Sequence, residues 1–435
     1  MKDVVIVSGA RTPVGAFGGA LKDVSAVELG SLAIREALKR ACVKPVAGEE
    51  MTAVAPDPLR DEGPIELETA GAAWAENAVA AAVDEVIMGN VLLAGQGQNP
   101  ARQAMIRAGM PKETPAFTVN KVCASGLKAV ALGTASIMLG DAEVVVAGGQ
   151  ESMSGAPMAL SKARWGYRME VTGKGELLDL MVYDGLYEIF YGYHMGVTAE
   201  NIVEKYGVSR QEQDELSVLS HNRARGAIID GTFAKEIVPV TIRSRKGDVV
   251  VDTDERPMET DMEKMAKLKP VFKKDGTVTA GNASGINDGA AAVVLMSAEK
   301  AKALGLTPMA RVRTFASGGV DPAYMGLGPL PAIRKSLKKA GMKIDEIEII
   351  ELNEAFAAQA LACMKELGIP TDKPNQHGSG ISLGHPIGCT GARQTVTAIH
   401  MMQEKSAKNA IISMCVGGGM GMAMILEAPE YFRLP

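Results

Sequence analysis

AFTVNKVCASGLKAVALGTASIMLGDAEVVVAGGQESM, residues 116–153, decides the fold class. AFTVN (116–120) has the apolar, β-branched and aromatic content of a strand. SGLKAVALGTASIMLG (125–140) is rich in alanine and leucine and reads as a long helix. AEVVVAGGQESM (142–153) returns to strand and ends in glycines. A strand, a helix and a second strand at this spacing form a crossover between parallel strands.

The alternation extends in both directions from this stretch. VVIVSG (4–9) is a strand, Ala26 to Ala41 has helical periodicity, DEVIMGNV (84–91) is a strand, and Pro100 to Ala108 is a helix. The last quarter repeats the order. RVRTFASGGVDP (311–322) is strand-like and Leu330 to Ala340 helical. IEIIELNEAF (347–356) is a strand running into a helix. The loop GSGISLGHPIG (378–388) precedes a helix from Ala392 to Gln403, and NAIISMCVGGG (409–419) is a strand ending in glycines. The expected fold is therefore α/β, with two similar halves and mainly parallel sheets.

The first half is expected over residues 1–155 plus 284–309, where AAAVVLMSA supplies a late strand, and the second over 310–435. Residues 156–283 are richer in charge and in longer helices, such as SRQEQDELSVLSHNRARGAIIDG, and are expected to form a separate loop domain over one face. Residues 44–82 are acidic, then alanine-rich. They read as a surface insertion, an exposed loop with a short helix and no catalytic role.

Bulk properties bound the function. A net charge of −5 over 435 residues gives no electrostatic basis for binding nucleic acid or an anionic membrane, although a local basic cluster could still hold a phosphorylated small molecule. Neither a signal region at the start nor an apolar run of the length of a membrane span is expected. The five cysteines (42, 123, 363, 389 and 415) are odd in number and scattered, which points to free thiols in a reducing compartment, most simply the cytoplasm.

Cys123 follows a strand and opens a helix. A helix N-terminus presents free N–H groups and partial positive charge, so the thiol pKa is expected to fall below the free value of about 8.5. Ala124, Ser125 and Gly126 leave room for a substrate. The competing reading is an inert, buried cysteine. Cys415, in MCVGGGMG, precedes three glycines whose bare N–H groups suit a developing oxyanion, although such a cysteine is commonly core. The dinucleotide reading of these glycines fails, because no G-x-G-x-x-G pattern opens a helix there. His385, in GHPIGCTG, sits on a rigid turn and is the type of residue that activates a thiol. A metal site of His377, His385 and Cys389 matches no zinc spacing. Asn353, where NEAF begins, reads first as a helix cap and second as a group orienting water or a carbonyl.

NKVCASG, GGQESMS, YGYHMG, TAGNASGINDGAA, NEAF, GHPIG and CVGGGMG together resemble the thiolases, in that order and over nearly the whole chain except residues 44–82. YGYHMGVTAEN and AGNASG are most similar to the short-chain acetyl-CoA acetyltransferases. The resemblance implies a five-layered αβαβα body of two βαβαβαββ halves with a loop domain over the site. It implies that Cys123 carries the acyl group and that His385 is its base. Asn353 would hold a water for one oxyanion site, Cys415 would move the α-carbon proton, and the N–H groups of Cys123 and Gly417 would make a second oxyanion site. His194, Met195, Ser284, Ala355 and Phe356 would line the pantetheine and acyl tunnel. Coenzyme A thioesters would be substrates, with no cofactor or metal, and the chain would assemble as a homodimer or homotetramer.

Three features depart from the family pattern: NQHGSGISLGHP before His385, Met420 where glutamine is common, and a longer stretch at 168–181. They leave branched, longer or aromatic 3-ketoacyl-CoA substrates open. A decarboxylating ketosynthase would need a second histidine in place of Cys415. An acyl-CoA-binding protein without catalysis would have no need of Cys123, His385, Cys415 and Asn353 together.

Overall fold

The computed structural model describes residues 1–169, 174–245 and 247–429. The expected lengthening at 168–181 falls partly on residues 170–173, outside this set.

Nine strands and eight helices frame the site. The strands are β1 (Val4–Arg11), β2 (Glu85–Gly89), β3 (Ala116–Val119), β4 (Val144–Ser152), β5 (Asn287–Ser297), β6 (Ala310–Gly319), β7 (Ile349–Leu352), β8 (Asn409–Val416) and β9 (Met420–Glu427). The helices are α1 (Ala26–Arg40), α2 (Pro100–Arg107), α3 (Ser125–Leu139), α4 (Met195–Tyr206), α5 (Arg210–Ile229), α6 (Pro329–Ala340), α7 (Ala357–Leu367) and α8 (Thr390–Lys405). The strands run in the order β7-β8-β9-β6-β1-β5-β4-β2-β3, and Gly15–Ala16 adds a short tenth strand against β5. The two halves meet where Val5 and Ile6 of β1 pair with Arg311 and Ala310 of β6.

The sheet is not mainly parallel, contrary to the expectation from the alternation. Only its two ends are: β3-β2-β4 on one side and β7-β8 on the other. The middle is antiparallel, from β4-β5 through β1 to β6, β9 and β8. The reason is chain order. β5 returns only after the long excursion at 156–283, and β9 follows β8 through the three-glycine turn, so neither is placed by a crossover helix.

Side-chain alternation builds the layers. On one face Ile6, Val145, Ala147, Val293 and Leu295 pack on α3 and α8, together with Ile412, Met414, Met422 and Met424 of the second half. The intervening residues Val5, Val7, Val144, Val146, Ala292 and Val294 face α1 and α2. Ile411, Ala423 and Ile425 face α6 and α7. The stack is thus α1/α2, sheet, α3/α8, sheet, α6/α7: the expected five layers. With both faces covered, β4, β5 and β8 are buried throughout and read as unbroken apolar runs.

α3 carries a second correction. Val122–Leu139 is long and apolar enough, by composition alone, to cross a membrane, where no such run was expected. Here it is the middle layer, in contact with α8, β4 and β5.

Residues 44–82 are more ordered than a loop. Val43–Val46 pairs in parallel with Val79–Ala82, and two short helices, Glu49–Ala53 and Glu66–Gly71, lie between. Gly71 and Gly109 approach so closely that a Cβ at Gly71 would sit 2.5 Å from the Gly109 nitrogen. Residues 156–283 contribute α4, α5 and the ribbon Val240–Ile242/Val249–Val251. Arg11 of β1 ties this region down. It is fully buried, bidentate to Asp254 at 2.7 and 2.9 Å, and 2.6 Å from Glu236.

Candidate active site

A sharp turn sets Cys123 between β3 and α3. The Asn120 carboxamide accepts from the Val122 N–H at 2.9 Å. The Ser125 hydroxyl accepts from the Lys121 N–H and donates to the Val122 carbonyl. Val122 takes φ +47°, a left-handed conformation that costs a β-branched residue about 1–3 kcal/mol. That strained corner aims Cys123 back across the sheet end.

The Cys123 sulfur faces the N–H of Gly417 and its own N–H. Two backbone donors therefore converge on the reacting sulfur, a donor pair of the kind that can hold a developing oxyanion. The expected lowering of the thiol pKa is not found. Burial, outweighing the two donors, and to a lesser degree the charge of Glu151 together raise it to about 11. The helix start is real, but its stabilisation is smaller than the cost of removing a thiolate from water. Cys415, on β8, is likewise pushed well above the ordinary thiol range, by burial and then by Cys123 itself. The resting pair is two thiols.

His385 is held in the neutral form. Burial and then Arg393 lower its pKa to about 3. Its backbone N–H donates to the Asn287 carboxamide oxygen at 3.0 Å, and Asn287 Nδ2 donates to the Gly15 carbonyl. Nδ1 lies 2.6 Å from the Thr390 hydroxyl, which lies 3.0 Å from the Pro386 carbonyl. Thr390 has one hydrogen. If it donates to Pro386, it must accept from Nδ1–H. That assignment leaves the lone pair on Nε2, which has no partner among the described residues. A neutral imidazole with a free Nε2 is a base ready to take a thiol proton.

Asn353 is not a helix cap. α7 begins only at Ala357, and both polar atoms of the Asn353 side chain are buried without partners among the described residues. Its backbone is fixed by Ser413, and a Cβ on Gly380 would come within 2.8 Å of its Oδ1. A buried amide without a partner suits an oxyanion or a bridging water.

A cavity of about 550 Å³ leads to these groups. His385, His194, Ser284 and Phe356 line it. Cys123 packs with its lining residues Met153 and Ile387, and Cys415 with Ala283 and Phe356, so the thiols approach from two sides. Met195 and Ala355 pack against Cys415 in the same cluster. Met195 also fills the space beside Gly417, where a Cβ would lie 2.4 Å from its terminal methyl. The Ser284 N–H donates to the Ala355 carbonyl, which joins the NASG and NEAF segments. His194 caps α4: its Nδ1 accepts from the Gly196 N–H at 3.0 Å, so its Nε2 carries a hydrogen and can donate. Its ring stacks on Phe272 at 4.6 Å, and Phe272 meets Phe356 edge-on at 6.2 Å.

Of the expected site residues, His385, His194, Ser284 and Phe356 thus line one cavity, Cys123, Cys415, Met195 and Ala355 pack behind it, and Gly417 lies against Met195; Asn353 is placed by Ser413 and Gly380 instead. Sequence reading missed Thr390, Asn287 and Arg256. Thr390 is five residues beyond His385, in the segment GHPIGCTG. Asn287 lies just past NASG. Arg256 lines the cavity and donates to the Ile381 and Ala283 carbonyls, and its polar surroundings gave no signal in the sequence.

Comparison with known proteins agrees with this geometry. The thiolase N-terminal domain model matches residues 4–55 and 67–299, and the thiolase C-terminal domain model matches 306–428. The chain is 52% identical to an acetyl-CoA acetyltransferase of Syntrophomonas wolfei, covering 98% of this chain and 99% of that one. It is 47% identical to the acetyl-CoA acetyltransferase of Escherichia coli K12, over 98% and 99%. The crystal structure of the Bacillus anthracis acetyl-CoA acetyltransferase superposes with a TM-score of 0.88 at 44% identity, covering 98% of this chain and 99% of that one. Fold, site geometry and both family models agree: the chain belongs to the thiolase family.

Proposed function

We propose that the protein is an acetyl-CoA C-acetyltransferase, joining two acetyl-CoA molecules reversibly into acetoacetyl-CoA and free coenzyme A. The observation that carries this reading is the pairing of two buried thiols, Cys123 and Cys415, with backbone donors on the first and, on the cavity beside them, a His385 Nε2 that has no partner among the described residues.

The chemistry follows from those groups. His385 Nε2 takes the Cys123 proton as sulfur attacks the thioester carbonyl. The C–S bond to coenzyme A breaks, and the departing thiolate leaves with that proton. The acetyl group now rests on Cys123, its oxygen facing the N–H groups of Cys123 and Gly417. A second acetyl-CoA binds with its carbonyl towards Asn353 and His385. Cys415 rests as a thiol, so it first gives its proton to His385 Nε2; the resulting thiolate takes a proton from the α-carbon, the carbanion attacks acetyl-Cys123, and the Cys123 C–S bond breaks. The proton on His385 Nε2 passes to the expelled Cys123 thiolate, so both thiols and the neutral imidazole are restored. Each half-reaction develops charge on a different oxygen, which is why two oxyanion sites are needed.

The acyl end is walled by Met195, Met325, Ala355 and Phe356, all buried and packed on Cys415, which favours a short acyl group. Thiolysis rates across acetoacetyl-, 2-methylacetoacetyl-, longer and aromatic 3-ketoacyl-CoA test this. The highest kcat/KM is expected for acetoacetyl-CoA. A higher value for a longer or aromatic chain would overturn the short-chain assignment.

A further inference from the structure

Glu151 is a fully buried carboxylate that the steps above do not use. It stands on β4, and its hydrogen-bond partners are all donors. Oε1 accepts from Asn90 Nδ2 at 2.7 Å and from the Leu92 N–H at 3.2 Å. Oε2 accepts from the Val91 N–H at 3.0 Å and from the Gly388 N–H at 2.8 Å. Among the described residues no ionic partner contributes to its state; burial and these four donors govern it. Burial pushes it up to about 7 against those donors, and a protonated oxygen would have to face an N–H, so the site is shaped for the carboxylate.

Its location gives the charge a use. Gly388 is three residues after His385. It is wedged among glycines: a Cβ on Gly149 would lie 2.1 Å from the Gly388 carbonyl, one on Gly89 2.8 Å, and one on Gly126, in the first turn of α3, 3.0 Å. A Cβ on Gly388 itself would lie 2.6 Å from Glu151 Oε2. Val91 and Leu92 pack on Cys123 in one apolar cluster with Ile387, the residue before Gly388. One carboxylate therefore grips the wall beneath the nucleophile and the loop carrying its base, and these come from opposite halves of the fold.

We propose that Glu151 is a positioning residue for acyl transfer: it fixes the His385 loop to the Cys123 site across the junction of the two halves. The proposal rests on Cys123 being the acylated residue. Supporting it, Glu151 is the one charged group among the described residues that acts on the Cys123 thiol, and it acts to keep the proton on. The other ionisable groups at this junction are Cys389, which also feels Glu151, His385, and Arg393, which acts on both Cys389 and His385. Asp288 lies beside it in register on β5, opposite Ser152, with its carboxylate accepting from the Ser154 N–H.

The test uses Glu151→Gln and Glu151→Asp in the full chain, with two readouts. The first is the pH profile of iodoacetamide alkylation followed on the Cys123 peptide, since the exposed Cys42 reacts as well. The second is the rate of Cys123 acetylation by acetyl-CoA. E151Q removes the charge and turns one acceptor into a donor. Its alkylation profile is expected to move to lower pH by about one unit, while acetylation slows by about tenfold to a hundredfold through misplacement. E151D keeps the charge on a shorter arm, so acetylation slows and the profile stays. An unslowed acetylation in E151Q overturns the positioning role, and an unmoved profile overturns its link to the Cys123 site. If E151Q does not fold, E151D carries the test: wild-type acetylation there overturns the proposal. Alkylation needs no substrate, so a wild-type protein that never acetylates Cys123 would refute the acyltransferase reading separately.

Discussion

Thr390→Val is the perturbation that most sharply probes the proton inventory of the site. The Thr390 hydroxyl is within 2.6 Å of His385 Nδ1 and 3.0 Å of the Pro386 carbonyl, inside a fully buried turn. Valine has nearly the same shape and no hydroxyl, so packing changes little. What changes is that Nδ1–H loses its acceptor. A buried donor left without a partner costs about 1–3 kcal/mol. The imidazole can relieve that cost by moving its hydrogen to Nε2, where the cavity can receive it. The lone pair then points at the protein, and His385 no longer accepts the Cys123 proton. A loss of about 1.4–2.7 kcal/mol of transition-state stabilisation corresponds to about tenfold to a hundredfold in acylation rate. Quenched-flow mass spectrometry of acetyl-Cys123, beside urea denaturation of the same variant, measures both. Thr390→Ser, which keeps the hydroxyl, should restore the rate. Wild-type acylation in Thr390→Val would refute the assignment of the hydrogen to Nδ1.

Other outcomes follow from the same geometry. Alkylation of Cys123 should rise with pH through the range of about 8–10, because burial holds the thiol near 11 and the reactive thiolate fraction grows until that value. A plateau at or below about 8.5 would mean that burial does not outweigh the helix start and the two backbone donors. With His385 neutral down to about 3, kcat/KM for acylation should show no histidine limb near pH 6.5. Asp254→Ala leaves the Arg11 guanidinium buried beside Glu236 alone, and urea denaturation should register a loss of about 3–5 kcal/mol. Val122→Gly relaxes the left-handed corner, so it should cost little stability while slowing acylation through a less fixed Cys123.

The layers and the site were legible for different reasons. Strands buried on both faces, such as VVVAGG and AAAVVLM, announce themselves as apolar runs, and the 125–140 helix as an alanine- and leucine-rich helix, although its place as the buried middle layer shows only in the structure. Strand direction was less legible. It depends on where β5 and β9 re-enter the sheet, which is fixed by the 156–283 excursion and a glycine turn and not by local propensity. Cys123, His385 and Cys415 stood out as reactive types in glycine-rich loops. Their protonation did not, because burial contributes more than the helix start and depends on the assembled layers. Asn353 resembles a cap in sequence, and only the start of α7 four residues later frees its amide. Glu151 and Thr390 look unremarkable in sequence, since their roles come from neighbours 59 to 237 residues away or from the turn that leads into α8.

The most direct measurement is the fate of acetyl-CoA on the wild-type protein and on Cys415→Ala, read by intact mass and peptide mapping after acid quench. Cys123 should carry one acetyl group in both. The wild type should go on to release acetoacetyl-CoA, while Cys415→Ala should accumulate acetyl-Cys123 and form no carbon–carbon bond. An absence of acetyl on Cys123, or its loss in Cys415→Ala, would contradict the division of work between the two thiols.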